Sequence, residues 1–254
     1  MEKLSAAIIT FNEERNIRRC IESLLPVVDE IVVLDSNSTD GTRSICNEYP
    51  IVRFHSKAFA GHIQQKNDVV ALTTNDLVLS LDADEALSEE LKLSILEVKK
   101  NRKFDGYTMN RLTSYCGKWI RNCGWYPDRK IRLFDRRKGA WGGINPHDKY
   151  ELLPGGTQAH IEGDILHFSY NSLEELQRQT DKFARLGAQD LFEKGRGGSW
   201  VKLFFSPAVR FLRAYLFKLG FLDGVAGFTI SWYSAVECFK KYNYLRKRVF
   251  ESPS

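Results

Sequence analysis

Two carboxylates one residue apart, Asp82 and Asp84, close an apolar run, Leu77-Val78-Leu79-Ser80-Leu81. A turn presenting both can face one hard cation, because Mg2+ or Mn2+ typically sits on one or two carboxylates plus substrate phosphates. In isolation such a pair is more often a solvated acidic turn before a helix, here the one opened by Ser88-Glu89-Glu90. The strand that delivers the pair favours the metal. A second cluster, Asp35-Ser36-Asn37-Ser38-Thr39-Asp40-Gly41-Thr42, combines small hydroxyls, carboxylates and one glycine, and suits a helix cap or a ligand site equally. Asp35 could accept hydrogen bonds from a nucleobase or ribose. A third, Thr10-Phe11-Asn12-Glu13, stands where a dinucleotide-binding chain would carry G-x-G-x-x-G, so such a cofactor is disfavoured. Asn12 on its own reads as a helix cap, with Glu13 and Glu14 at the positive end of the helix.

The elements around these clusters decide between the readings. Ala6–Ile9, Ile31–Leu34, Ile51–Phe54 and Leu77–Leu81 read as strands, the third nearer an edge. Ile17, Cys20, Ile21, Leu24 and Leu25 have the i, i+3, i+4, i+7, i+8 spacing of a buried helical face. Further helices open near Thr42, Gly61 and Ser88. The order β-α-β-α-β-α-β-α is that of an α/β sheet covered by helices. In such a sheet ligands bind outside the carboxyl ends of the strands, so all three clusters are expected at one edge. After Asn101 the pattern becomes mixed, with strands near 107–110 and 131–134 around an aromatic loop, Cys116–Asp128. Ser172-Leu173-Glu174-Glu175 is a capping box for a helix to about Glu193, and Arg196-Gly197-Gly198-Ser199 is a linker.

Composition narrows the class. The 254 residues are 43% hydrophobic and 27% charged, and a mean hydropathy of −0.34 excludes a polytopic membrane protein. Five cysteines with no C-x-x-C pair argue against a disulfide framework or a zinc site. The Met1-Glu2-Lys3-Leu4 start shows no secretory signal, so a cytoplasmic location is expected. The net charge of +5 lies in the tail: eight basic residues against three acidic follow Ser206, and residues 1–205 balance. That distribution is unlike the basic stripe of a nucleic-acid binder. The tail also carries 11 of the 31 aromatics. Its longest uncharged run, Gly224–Val236, falls short of the roughly 20 residues that span a bilayer. It suits a helical segment lying on a membrane surface, or else an amphipathic pair packed on protein.

Together, Ile8-Ile9-Thr10-Phe11-Asn12-Glu13-Glu14, Asp35 to Thr42, Gln65-Lys66-Asn67 and Leu81-Asp82-Ala83-Asp84-Glu85 resemble the nucleotide-binding half of family 2 glycosyltransferases of the GT-A fold. The resemblance implies a UDP-sugar donor. Thr10, Asn12, Glu13 and Asp35 would hold the uridine, and Asp82 the ribose and metal side. Asp84 would ligate Mg2+ or Mn2+ on the diphosphate, with Lys66 near nucleotide and sugar. The second half, Gly124-Trp125-Tyr126-Pro127-Asp128-Arg129-Lys130-Ile131-Arg132-Leu133-Phe134, then Trp141-Gly142-Gly143 and Pro146-His147-Asp148, is similar to the acceptor half of a bacterial subgroup. That subgroup adds β-linked glucose to lipopolysaccharide inner core. The subgroup usually has glutamate where this chain has Asp148, one methylene shorter.

An inverting transfer needs a carboxylate to take the acceptor proton, and Asp148 is the candidate base. His147 would orient it or serve a structural role. Arg129 and Arg132 would meet the leaving diphosphate or an acceptor phosphate, or form a solvated strand face. Trp125 would stack on a sugar or belong to the core. The expected architecture is a GT-A catalytic domain over 1–195, with a nucleotide-sugar half at 1–100 and an acceptor half at 101–170. A helical membrane-surface extension covers 196–254. The expected activity is metal-dependent transfer of a hexose, glucose foremost, from a UDP-sugar to a membrane-anchored glycolipid, on the cytoplasmic face of the inner membrane. Polyprenyl-linked, capsule or protein acceptors stay open, as does oligomeric state. A sugar-phosphate nucleotidyltransferase would need a glycine-rich first loop, and a non-catalytic nucleotide-sugar binder would have no need of Asp148.

Overall fold

The computed structural model describes residues 1–144 and 147–248. The chain forms two compact units, Met1–Arg111 with Asp128–Phe168, and Leu112–Pro127 with Ser169–Ser254. The first unit is built on a mixed sheet. Its parallel part comes from β1 (Leu4–Thr10), β2 (Glu30–Asp35), β3 (Val52–Ser56) and β4 (Leu77–Asp82). β1, β2 and β4 are near-continuous apolar runs and almost wholly buried, as expected of strands covered on both faces. β5 (Glu85–Leu87), β6 (Gly106–Tyr115), β8 (Asp128–Asp135) and β11 (Gln158–Tyr170) extend the sheet in the order β3-β2-β1-β4-β8-β6-β11-β5, and β7 (Lys118–Trp119) pairs with β6. β8 runs antiparallel to β4 and β6, and β11 antiparallel to β5. A separate hairpin pairs β9 (Gly139–Ile144) with β10 (His147–Leu152).

Alternating side chains feed two cores. Ile8, Ile31, Val33, Leu79 and Leu81 pack with α1 (Ile17–Leu24) and α4 (Glu89–Lys100). Ala7, Val32, Leu34 and Val78 pack with α3 (His62–Leu72) and with Phe134, Trp141 and Tyr150. Tyr150 stacks on Phe134 with centroids 3.5 Å apart, which seats the β9–β10 hairpin on the α3 side. The register then sets the ligand edge: Thr10 lies beside Asp35 and Ile9 beside Asp82, so the ends of β1, β2 and β4 coincide.

Local differences from the sequence reading have physical reasons. Asn12 does not cap a helix. It sits at φ 54°, its side-chain carbonyl accepting the Thr39 amide at 2.8 Å, and α1 begins only at Ile17. The Thr42 segment forms just one short helix, α2 (Thr42–Cys46). Ser88 does cap α4, accepting the Leu91 amide at 3.2 Å, and Ser172 caps α5 (Leu173–Glu193) in the same way at 3.2 Å. Glu175 also reaches back to the Asn171 amide, 2.7 Å. In the second unit α5 is followed by α6 (Trp200–Leu212), a π-helical turn at Arg213–Phe217, a 3-10 turn at Gly220–Asp223, and α7 (Gly224–Lys247). No helix among the described residues is long and apolar enough to cross a membrane.

Candidate active site

The loops after β1 and β2 brace each other. The Asn12 amide donates to Ser38 Oγ, the Glu13 amide to Thr42 Oγ1 at 2.8 Å, and the Glu14 amide to Asp40 at 3.0 Å; Glu14 in turn accepts the Gly41 amide at 2.8 Å. Asp35 is buried and its carboxylate accepts both the amide and the hydroxyl of Ser38. Thr10 is buried beside it, its hydroxyl without a partner among the described residues and its carbonyl accepting the Ser36 amide at 2.9 Å. The half-buried Glu13 carboxylate accepts from Asn16 at 2.7 Å. Burial, with Asp84 and Asp40 nearby, pushes its pKa up despite the Asn16 bond.

Three consecutive residues of α3 each hold a different segment. Gln65 donates to Ser36 Oγ at 3.1 Å. Asn67 pairs reciprocally with the Trp141 backbone, at 2.9 and 3.0 Å, and so pins the hairpin. Between them the buried Lys66 ammonium contacts Asp82 Oδ1 at 3.1 Å and Asp148 Oδ2 at 2.7 Å, and lies 4.5 Å from the Trp141 ring centroid. One cation therefore links the end of β4 to the second strand of the hairpin, two segments far apart in sequence.

Arg132 completes the cluster. The β6–β8 register slips by one residue, since Tyr107 faces Leu133 and Thr108 faces Ile131, which leaves Arg132 as the extra residue on β8. Its guanidinium is buried, 3.0 Å from Asp82 and 3.1 Å from Glu85. Glu85, fully buried, also accepts the Asp82 amide at 2.9 Å. Burial opposes the Asp82 charge, but Lys66 and Arg132 outweigh it and hold the carboxyl well below the usual range. Burial likewise disfavours the Arg132 charge, and Glu85 and Asp82 reverse that and raise its pKa. Arg132 is thus committed inside the protein rather than presented to a phosphate.

Asp84 points elsewhere, to His167 Nε2 at 3.1 Å. His167 pairs with Glu85 across β5 and β11, and the Asp84 carbonyl accepts the Phe168 amide at 2.9 Å. Among the described residues no three His, Cys, Asp or Glu side chains cluster to enclose a metal. A carboxylate and an imidazole leave most coordination positions to substrate oxygens and water. That donor set fits a divalent cation carried on a diphosphate.

The structure thus brings Thr10, Asn12, Glu13, Asp35, Lys66, Asp82, Asp84 and Asp148 into one unit, the first four at the ends of β1 and β2 and in the loop after β1, Lys66 on α3, and the last three around Lys66 and His167. Arg129 is exposed on β8, opposite Asn110. The side chain of His147 lies outside the described residues. Trp125 belongs to the second unit, where it packs beside Tyr170 with centroids 5.5 Å apart. His167, Glu85 and Trp141 were not among the sequence candidates. Glu85 directly follows the Asp82-x-Asp84 pair, and only its burial marks it. His167 carries no local signal, because its strand pairing sets its position.

The fold is a mixed α/β fold of the GT-A type. The family model for glycosyl transferase family 2 matches residues 5–150, and the chain belongs to that family. The lipopolysaccharide core biosynthesis glycosyltransferase LpsC of Rhizobium meliloti is 30% identical over 93% of this chain and 89% of its own length. An uncharacterized glycosyltransferase of Rickettsia felis is 29% identical over 99% of this chain and 92% of its own. Among solved structures, the mannosyltransferase PcManGT of Pyrobaculum calidifontis, in complex with GDP-Man and Mn2+, superposes with a TM-score of 0.55. It is 14% identical, over 94% of this chain and 86% of that one, a likeness of fold.

Proposed function

We propose that this glycosyltransferase moves a hexose, glucose foremost, with inversion from a UDP-sugar to a membrane-anchored glycolipid of the lipopolysaccharide core type. The observation that carries the reading is the contact of the Lys66 ammonium with Asp82 and Asp148, at 3.1 and 2.7 Å. It sets Asp148, a carboxylate able to accept a proton, across from Asp82 at the strand edge where α/β folds hold their ligands. In this reading the braced loops after β1 and β2 hold the nucleoside, with Asp35 and Thr10 at the base. Lys66 fixes Asp148 facing the acceptor hydroxyl, and Asp148 takes its proton as the hydroxyl attacks the anomeric carbon. Asp84 and His167 would hold the divalent cation; when bound, it supplies Lewis-acid stabilisation of the departing diphosphate. The imidazole favours Mn2+ over Mg2+ at that position.

The acceptor class rests on the likeness to LpsC, whose name places it in lipopolysaccharide core biosynthesis. A site on the cytoplasmic face of the inner membrane follows from that acceptor. The donor class is tested without acceptor, by following thermal unfolding with UDP, GDP, ADP and CMP, each with Mn2+ and with EDTA. Ligand at about 100 times Kd stabilises by about 2.7 kcal/mol, a rise of roughly 5–10 °C for a chain of this size. A rise with UDP that EDTA removes supports the reading. A larger rise with GDP, the nucleotide in the PcManGT complex, would replace UDP as the donor nucleotide.

A further inference from the structure

The second unit carries a surface that the transfer chemistry does not use. From Gly195 to Leu222 the chain has five cations, Arg196, Lys202, Arg210, Arg213 and Lys218, and no Asp or Glu. Leu203 is the one buried residue of α6, although eight of its thirteen residues are Trp, Val, Leu or Phe. Phe204, Phe205, Val209, Leu212 and Leu216 are exposed, and Phe217 is 80% exposed. By contrast α7 buries Gly227, Ile230, Ser231, Ala235, Cys238 and Leu245. An exposed run of apolar side chains of this kind marks an interaction surface.

Charge and length select the partner. No helix among the described residues is long and apolar enough to cross a bilayer, but α6, about 20 Å long, can lie along one. Aromatic and aliphatic side chains beside cations, with no anion between, match the boundary of an anionic leaflet. A second copy of the chain fits poorly, because pairing this face with itself would bring Lys202, Arg213 and Lys218 of one copy against those of the other. We propose that α6 and the π-helical turn after it dock on an anionic membrane surface. Phe204, Phe205, Leu216 and Phe217 enter the headgroup boundary, and Lys202, Arg213 and Lys218 meet lipid phosphates. The inference builds on the reading of a lipid-linked acceptor, which gives the docking its purpose.

The binding test uses the full chain and neither donor nor acceptor, and a separate transfer assay distinguishes its failure from that of the acceptor reading. Co-sedimentation is measured with vesicles of phosphatidylcholine alone and with about one third phosphatidylglycerol; that composition is the probe, chosen for anionic charge. Binding to the anionic vesicles is expected, with little to the neutral ones. Lys202→Gln with Arg213→Gln is expected to weaken it roughly thirty-fold, at about one factor of five per cation. Phe204→Ser with Phe205→Ser, both on exposed side chains and checked for unchanged circular dichroism, is expected to weaken it at least tenfold. Equal binding to both vesicles, binding unaffected by the serine pair, or a wild-type dimer that the serine pair converts to monomers would overturn the proposal. Vesicle binding without transfer to a glycolipid would instead overturn the acceptor reading and leave the surface standing. Transfer to a soluble core oligosaccharide without vesicle binding would do the reverse.

Discussion

Replacing Arg132 by leucine tests whether the buried cluster behind the strand edge is held as its geometry implies. Its guanidinium bridges Asp82 and Glu85, and the Glu85 side chain is fully buried. Without Arg132, Asp82 keeps Lys66, but among the described residues Glu85 keeps only the Asp82 amide and Arg111 at 3.7 Å. Removing one partner of a buried ion pair costs about 3–5 kcal/mol, because the remaining charge is left in a low-dielectric site. For a chain of this size each kcal/mol moves Tm by about 2–4 °C, so the expected loss is roughly 6–20 °C. Thermal unfolding by circular dichroism and urea titration with linear extrapolation both read it. A second substitution, Glu85→Gln on the Arg132→Leu background, removes the stranded charge and keeps an acceptor for the Asp82 amide. It should recover about half of the loss. A cost under about 1 kcal/mol, or no recovery with glutamine, would refute the reasoning.

Asp84→Ala should lower turnover by roughly 100-fold or more, since Lewis-acid stabilisation is worth several kcal/mol, and should abolish the Mn2+ dependence of nucleotide binding; near wild-type, EDTA-sensitive activity would remove Asp84 from the metal site. His167→Ala should raise the Mn2+ concentration needed for half-maximal activity, read by titration of the same assay. The hydrogen bond from Arg137 holds the Asp135 carboxyl at about 2 against burial, from an ordinary value of 3.8. A depressed pKa means its stabilisation, about 2 kcal/mol, is complete above about pH 4 and is lost as pH falls through 2. Asp135→Asn should therefore differ from wild type by a constant amount above pH 5 and converge with it in acid; a difference independent of pH down to 2 would contradict this.

The first half of the fold was legible because β1, β2 and β4 are long apolar runs ending in Thr10, Asp35 and Asp82, and the register brings those ends together as the strand pattern requires. The strands carrying the other half of the site were not. β9 is Gly-Ala-Trp-Gly-Gly-Ile, with three glycines and no apolar run, and β10, His-Asp-Lys-Tyr-Glu-Leu, alternates only over its last four residues. β11 is interrupted by Gly163 at φ 99°, where a Cβ would lie 2.3 Å from the Leu91 amide nitrogen. That close approach needs glycine and hides the strand from propensity arguments. Lys66 was placed by resemblance beside the nucleotide, yet its contact with Asp148 joins residues 82 apart. No local pattern carries such a contact. Arg132 read as a phosphate ligand or a solvated strand-face cation, because a bulge, not alternation, turns it inward. Asn12 read as a cap because its partners, Ser38 and Thr39, lie on another loop.

The most direct measurement is transfer itself. Purified enzyme with Mn2+, a labelled UDP-hexose and truncated lipopolysaccharide core acceptor is compared with Asp148→Asn, whose amide keeps the shape of the carboxylate but cannot take a proton. The expected result is a product whose anomeric configuration is opposite to that of the donor. In the variant UDP should bind with unchanged Kd while turnover falls roughly 10²–10⁴-fold, the usual worth of a general base. Unchanged turnover in Asp148→Asn, or a product that retains the donor configuration, would contradict the central claim that Asp148, held by Lys66, is the base of an inverting transfer.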